Sequence, residues 1–243
     1  MSRILILGGT HDAAKLAHAL AGQPGIEVIS SLAGRTGTVP DLPGRVRVGG
    51  FGGADGLAQF LRAEGIDRVV DATHPFAARI SAHAAEACGI LGLPRLMLAR
   101  PAWQPMAGDR WVEVESMAAA AEALPALGRR AFLTVGIGEV AAFAPVRGVW
   151  FLVRLIADQP LPLADHTVIT GRGPFDAQAE QQLMARHRVE VVVSKASGGS
   201  ATYGKIAAAR ALGLPVLMVK RPPLPPGETA DSIAAAVAWL SRA

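Results

Sequence analysis

The residues with chemistry to offer fall into two sets, and the first opens the chain. The apolar run Ile4–Leu7 leads straight into Gly8, Gly9 and Thr10, then His11, Asp12 and an alanine-rich helical pattern. Two glycines between a buried strand and a helix permit a tight turn and let a pyrophosphate approach the backbone. The N–H groups of the helix start and the Thr10 hydroxyl supply donors. The full G-x-G-x-x-G fingerprint is absent, and a tight turn without a ligand uses the same residues. Further along, Ser30, the glycine cluster around Gly50 and Phe51, and the run Thr73-His74-Pro75 stand where strands should end. Ser30 replaces the Asp or Glu that would bind the ribose 2′-hydroxyl of NAD, and Arg35 follows close by. A cation there suits a 2′-phosphate, which favours NADP over NAD. The His74 imidazole can bind a phosphate or amide, transfer a proton near neutral pH, or simply cap the next helix.

The second set lies in the other half. Lys195 and the loop Ser197-Gly198-Gly199 form a polar, glycine-rich segment with a cation, while Arg154, Arg172 and Arg221 stand at or near other strand ends and Lys205 on the following helix. These cations suit an anionic ligand larger than a single phosphate. Tyr203 is the sole tyrosine, with Lys205 two residues on. That spacing puts the two on different helix faces, which excludes the tyrosine–lysine pair of short-chain dehydrogenases. The six histidines show no metal-ligand spacing, so no metal is expected. No Gly-x-Ser-x-Gly elbow and no Walker lysine occur, leaving hydrolase and kinase chemistry without support.

The elements that would position these groups alternate strand with helix. Strands are expected at Ile26–Ser30, Val46–Val48, Arg68–Asp71 and Arg95–Leu98, with helices over Ala13–Ala21, Leu57–Ala63 and Phe76–Gly89 between them. This is the grammar of βαβ units on a parallel sheet. The second half repeats it. At an offset of 121, Val70 falls on Val191, Gly92 on Gly213, Pro94 on Pro215, Leu96 on Leu217, and Arg100-Pro101 on Arg221-Pro222. The opening turn has its echo at Gly136-Ile137-Gly138. The expected architecture is α/β, with two Rossmann-like doubly wound parallel-sheet domains and a ligand cleft between them. The domains are expected at residues 1–128 and 129–243, each ending in a helix, although no sharply marked linker divides them. Two such sheets have similar edges, which allows terminal strands to be exchanged between the halves.

Composition bounds the rest. At 243 residues and 51% hydrophobic content, with a mean hydropathy of +0.32, the chain can bury a large core. No apolar run reaches membrane-helix length, no signal peptide is evident, and Cys88 is alone, so a cytoplasmic protein is expected. The net charge of +4 points to acidic partners. The basic residues are scattered and aromatics are few, which argues against nucleic acid. The residues leave the oligomeric state open.

Taken together, Leu7-Gly8-Gly9-Thr10, Asp71-Ala72-Thr73-His74-Pro75, Gly173-Pro174-Phe175, Lys195-Ala196-Ser197-Gly198-Gly199 and Arg221-Pro222 resemble the precorrin-6A reductases of cobalamin biosynthesis. The resemblance runs along essentially the whole chain, and the Asp-Ala-Thr-His-Pro run is its most specific element. It implies an NADPH-dependent oxidoreductase that reduces one double bond of a tetrapyrrole macrocycle to give precorrin-6B. The first half would then hold NADPH through Gly8, Gly9, Thr10, Ser30, Arg35, Gly50, Phe51, Thr73, His74 and Pro75. The second would face the macrocycle and its carboxylates through Arg154, Lys195, Ser197, Gly198, Gly199, Lys205 and Arg221. His74, Tyr203, Lys195 and bulk water are the candidate proton donors. Two other readings compete: a non-catalytic tetrapyrrole- or nucleotide-binding protein, and an NADP-dependent reductase of a small acidic metabolite.

Overall fold

A computed structural model describes residues 1–34 and 40–242. In the first half, strands β1 (Ser2–Leu7), β2 (Ile26–Leu32), β3 (Arg45–Val48), β4 (Arg68–Asp71) and β5 (Arg95–Leu98) alternate with helices α1 (His11–Leu20), α2 (Ala54–Ala63) and α3 (Ala78–Leu91). Next come β6 (Arg110–Val114) and α4 (Met117–Ala123), then β7 (Arg130–Leu133), the short α5 (Ile137–Val140), β8 (Trp150–Leu155) and β9 (His166–Thr170). The chain ends with α6 (Ala177–Arg186), β10 (Val191–Lys195), α7 (Gly204–Ala211), β11 (Pro215–Val219), β12 (Glu228–Ala230) and α8 (Ile233–Leu240).

The strands make two six-stranded sheets, ordered β12-β5-β4-β1-β2-β3 and β6-β11-β10-β7-β8-β9, and every pairing is parallel. Matching strands by position gives each sheet the same doubly wound order, so both are Rossmann-like. The central strands carry apolar runs because helices cover both faces of a parallel sheet. Ile4–Leu7 of β1 and Val191–Val193 of β10 are fully enclosed. Helix α1 presents Ala13, Leu16, Ala17 and Leu20 to one face of the first sheet, where α8 adds Ala236, Trp239 and Leu240. On the opposite face, Leu57, Ala58 and Leu61 of α2 pack with Ala84, Ala87 and Cys88 of α3. The spacing by three and four residues is the core stripe of an amphipathic helix.

The boundary expected between residues 128 and 129 is not where the chain divides. One compact unit comprises Met1–Pro101 and Pro222–Ala243, and the other Ala102–Arg221. After β5 the chain leaves the first sheet, and β6 pairs with β11 in the second. After β11 it returns, and β12 pairs with β5. Each sheet's last strand therefore comes from the other half of the sequence. The crossings fall at the repeated pairs Arg100-Pro101 and Arg221-Pro222, where proline has no N–H to extend the ladder. Arg68, at the start of β4, fastens the returning helix by donating to the Trp239 and Leu240 carbonyls at 3.1 and 3.0 Å. A cation at the last carbonyls of α8 satisfies groups that the helix leaves unpaired.

Candidate active site

Open parallel sheets bind ligands outside the carboxyl ends of their strands, where the strand order reverses. In the first unit that point lies between β1 and β4. Gly8 accepts the close approach of α1, since a Cβ there would stand 3.3 Å from the Ala13 Cβ. Gly9 has φ +99°, which disfavours a side chain, and the space above it is open. Thr10 is the N-cap of α1: its Oγ1 accepts from the Ala13 N–H at 3.1 Å and donates to the Ala72 carbonyl at 2.7 Å. One hydroxyl thus ties the β1 turn to the β4 turn across 62 residues. Asp12, in the first turn of α1, would oppose an anion there, but Arg100 pairs with it at 2.9 Å. An open glycine turn at a helix start with its acidic residue neutralised fits a dinucleotide pyrophosphate.

The β4 turn is ordered from below. Asp71 is fully enclosed, and its Oδ1 accepts from the Thr73 N–H at 3.1 Å and the Thr73 hydroxyl at 2.6 Å. Its Oδ2 has no hydrogen-bond partner among the described residues. The His74 Nδ1 accepts from the Phe76 N–H at 3.2 Å, which puts the proton of the neutral ring on Nε2. Thr73, His74 and Pro75 are all partly exposed, as a ligand-facing turn requires.

Ser30 does not occupy the strand end expected for it. Strand β2 continues to Leu32, so Ser30 is enclosed at 2% exposure with its hydroxyl unpartnered among the described residues. It cannot face a ribose. Arg35 lies outside the described residues. Gly50 and Phe51 serve Arg47 of β3, which no motif singles out. The Arg47 guanidinium donates to the Ser31 hydroxyl at 2.9 Å and to the Gly49 and Gly50 carbonyls at 3.0 Å, and it lies 3.9 Å over the Phe51 ring. Burial pushes its pKa below the usual guanidinium value.

In the second unit the reversal lies between β7 and β10. The Thr134 hydroxyl donates to the Val193 carbonyl at 2.8 Å, bridging these two strands. Lys195 closes β10 and pairs with Glu139 of α5 at 2.9 Å. Arg221 donates to the Ala196 and Ser197 carbonyls at 2.6 and 2.9 Å, so it shapes the loop that carries Lys195 onward into Gly198 and Gly199. The Gly199 carbonyl accepts from the Trp103 indole at 2.7 Å, and Ser197 is buried.

Two expected roles change here. Arg154 is committed to the fold: it makes a bidentate pair with Glu180 at 2.8 and 2.6 Å, under the Phe175 ring at 4.0 Å. Glu180 is itself 3% exposed, so the arginine was expected at a ligand but finds its carboxylate within the protein. The Tyr203 hydroxyl accepts from Arg210 at 2.6 Å and donates to the Met106 sulfur at 3.3 Å, which occupies its proton. The carboxylate partners lie 56 and 26 residues from their cations, and no local pattern announces them.

Lys205 is the outlier. In the first turn of α7 it is 6% exposed, its Nζ stands 5.6 Å from the centre of the Trp103 ring, and it makes no hydrogen bond to the described residues. Burial pulls its pKa down to about 7; Glu180 opposes the shift, while Arg154 and Lys195 add to it. Among the described residues no group of three or more His, Cys, Asp or Glu side chains could hold a metal ion, and no helix is long and apolar enough to cross a membrane.

Comparison with known proteins identifies the family. The family model described as precorrin-6x reductase CbiJ/CobK matches residues 3–241. The precorrin-6A reductase of Rhodococcus erythropolis is 53% identical, over 99% of this chain and 98% of its own. That of Mycobacterium tuberculosis (strain ATCC 25618 / H37Rv) is 46% identical over the same shares. A solved structure of CobK precorrin-6A reductase superposes with a TM-score of 0.93 at 41% identity, covering 99% of this chain and 96% of that one. By its sequence and its two sheets, the chain belongs to the precorrin-6x reductase family.

Proposed function

We propose that this protein reduces one double bond of precorrin-6A to give precorrin-6B in cobalamin biosynthesis, with NADPH as the reductant. The observation that carries the cofactor half is the open turn at Gly9, braced by Thr10 against β4 and relieved of the Asp12 charge by Arg100. Bound there, the cofactor would supply hydride. The chain's residues do the rest. Gly8, Gly9 and Thr10 seat the pyrophosphate, and Thr73, His74 and Pro75 line the neighbouring turn. Arg35 would meet the 2′-phosphate, and Arg47 ties the Ser31 end of β2 to the Gly49-Gly50 turn. In the second unit Lys195 meets a carboxylate of the macrocycle, with Arg221 holding its loop in shape. Ser197, Gly198 and Gly199 provide the turn on which that contact sits.

The test is anaerobic turnover of precorrin-6A with NADPH or NADH, followed by the loss of nicotinamide absorbance. Oxidation of one NADPH per precorrin is expected, with NADH slower by about tenfold or more, the size of one lost charge-assisted contact. Arg35→Ala should remove the preference. Equal rates with the two cofactors in the unsubstituted protein would sink the 2′-phosphate role, and no oxidation with either would sink the reaction.

A further inference from the structure

Lys205 has an environment unlike that of an ordinary surface or ion-paired lysine. It follows the loop that leaves the carboxyl end of β10, the edge of the sheet where ligands bind. Lys195 ends β10 and Arg154 stands one residue short of the end of β8, so three cations gather at that edge. The groups acting on Lys205 are Glu180 of α6, Arg154 of β8, Lys195 of β10 and the Trp103 ring. Both oxygens of Glu180 already hold Arg154. Lys205 is more than nine-tenths buried, has no counter-ion of its own among the described residues, and has two like charges as neighbours. Its charged and neutral forms lie close in free energy near neutral pH. A residue kept only to anchor a carboxylate gains nothing from that, whereas a general acid needs it.

The geometry points to Lys205 as the general acid of the reduction, giving one proton from its ammonium to the ring carbon beside the one that takes the hydride. This rests on the reductase reading above. Hydride brings its electron pair to one carbon of the double bond, and the displaced π pair moves to the neighbour. That pair takes the Lys205 proton as the N–H bond breaks with its electrons left on nitrogen. Hydride and proton together turn one double bond into a single bond, and the neutral amine regains a proton from solvent. Tyr203 is a poorer source, since its proton is held by Met106, and Lys195 is paired with Glu139.

Two substitutions separate this role from simple anchoring. Lys205→Met keeps length without charge, and Lys205→Arg keeps charge but releases no proton near neutrality. Single-turnover reduction should slow by about 10²- to 10⁴-fold in both, with the KM for precorrin-6A close to normal in Lys205→Arg. In the unsubstituted enzyme kcat/KM should fall about tenfold per pH unit above roughly pH 7, and the fall should vanish in Lys205→Met. Independently of turnover, the ε-carbon resonance of ¹³C-labelled Lys205, assigned by its absence from Lys205→Met, should titrate near neutral pH in the unliganded protein. Full rescue of the rate by Arg would overturn the inference, as would a titration above pH 10. Normal rates in Lys205→Met would do the same while leaving the reductase reading intact. No reduction by the unsubstituted protein would overturn both.

Discussion

Burying Lys205 should leave a mark on stability that pH can read. Its pKa falls from 10.5 in the unfolded chain to about 7 in the fold, with burial as the first cause. Folding therefore carries a penalty of roughly 5 kcal/mol when the ammonium must be buried charged. The sign follows from proton counts. Below about pH 7 both states hold the proton and the penalty is complete. Between about 7 and 10.5 the unfolded chain holds a proton that the fold does not, so stability rises with pH by up to about 1.4 kcal/mol per unit. Above 10.5 the penalty is gone. Lys205→Met removes this term, so the variant should be more stable than the parent at pH 6, and its advantage should shrink toward pH 10. Urea unfolding of both proteins at each pH, compared as a difference, cancels the other titrating groups. Trp103, Trp111 and Trp150 lie in the unit that contains Lys205 and Trp239 in the other, so tryptophan fluorescence weights the relevant transition. A stability difference that stays flat from pH 6 to pH 10 would refute a charged lysine buried at this position.

Three further substitutions probe the scaffold. Glu180→Gln strands the Arg154 guanidinium between the Phe132 and Phe175 rings without its carboxylate, and should cost about 3–5 kcal/mol in urea unfolding; a loss under about 1 kcal/mol would mean the pair is dispensable. Gly56→Ala would place a Cβ 1.8 Å from the Phe51 carbonyl oxygen and should destabilise by about 3 kcal/mol or more, whereas Gly89→Ala, on the exposed side of α3 with open space around it, should stabilise by about 0.5–1 kcal/mol. Circular dichroism during denaturation reads both, and equal effects would contradict the packing described around α2.

Much of the fold is written locally. The run Ile4–Leu7 reads as a buried parallel strand because only apolar residues tolerate helices on both sides, and the offset of 121 exposes the second sheet. What local pattern cannot say is which edge a strand joins. β5 and β11 are followed by the same Arg-Pro pair and present equivalent edges, so nothing in Arg110–Val114 or Glu228–Ala230 declares its partner. Hence the expected boundary near residue 128 misses the exchange. The site divides in the same way. Thr10 and Thr73 announce themselves by falling within three residues of a strand end, and their hydroxyls donate to the Ala72 carbonyl and to Asp71 respectively. Ser30 misleads because β2 runs two residues further than its polar pair suggests. Arg154 misleads because its partner Glu180 lies 26 residues on, in α6.

The exchange of last strands also sets an order on synthesis. Residues 102–221 are contiguous, so everything the second unit needs has been made by the time Arg221 is added. The first unit begins earlier and finishes last, because β5 waits for β12, and α1 waits for the Trp239 face of α8. Through most of translation the growing chain thus carries an open parallel edge at β5 and an uncovered apolar stripe on α1, features that invite pairing with another chain. The first unit therefore cannot close until β12 and α8 have emerged from the ribosome, long after its own β1 to β5 were made.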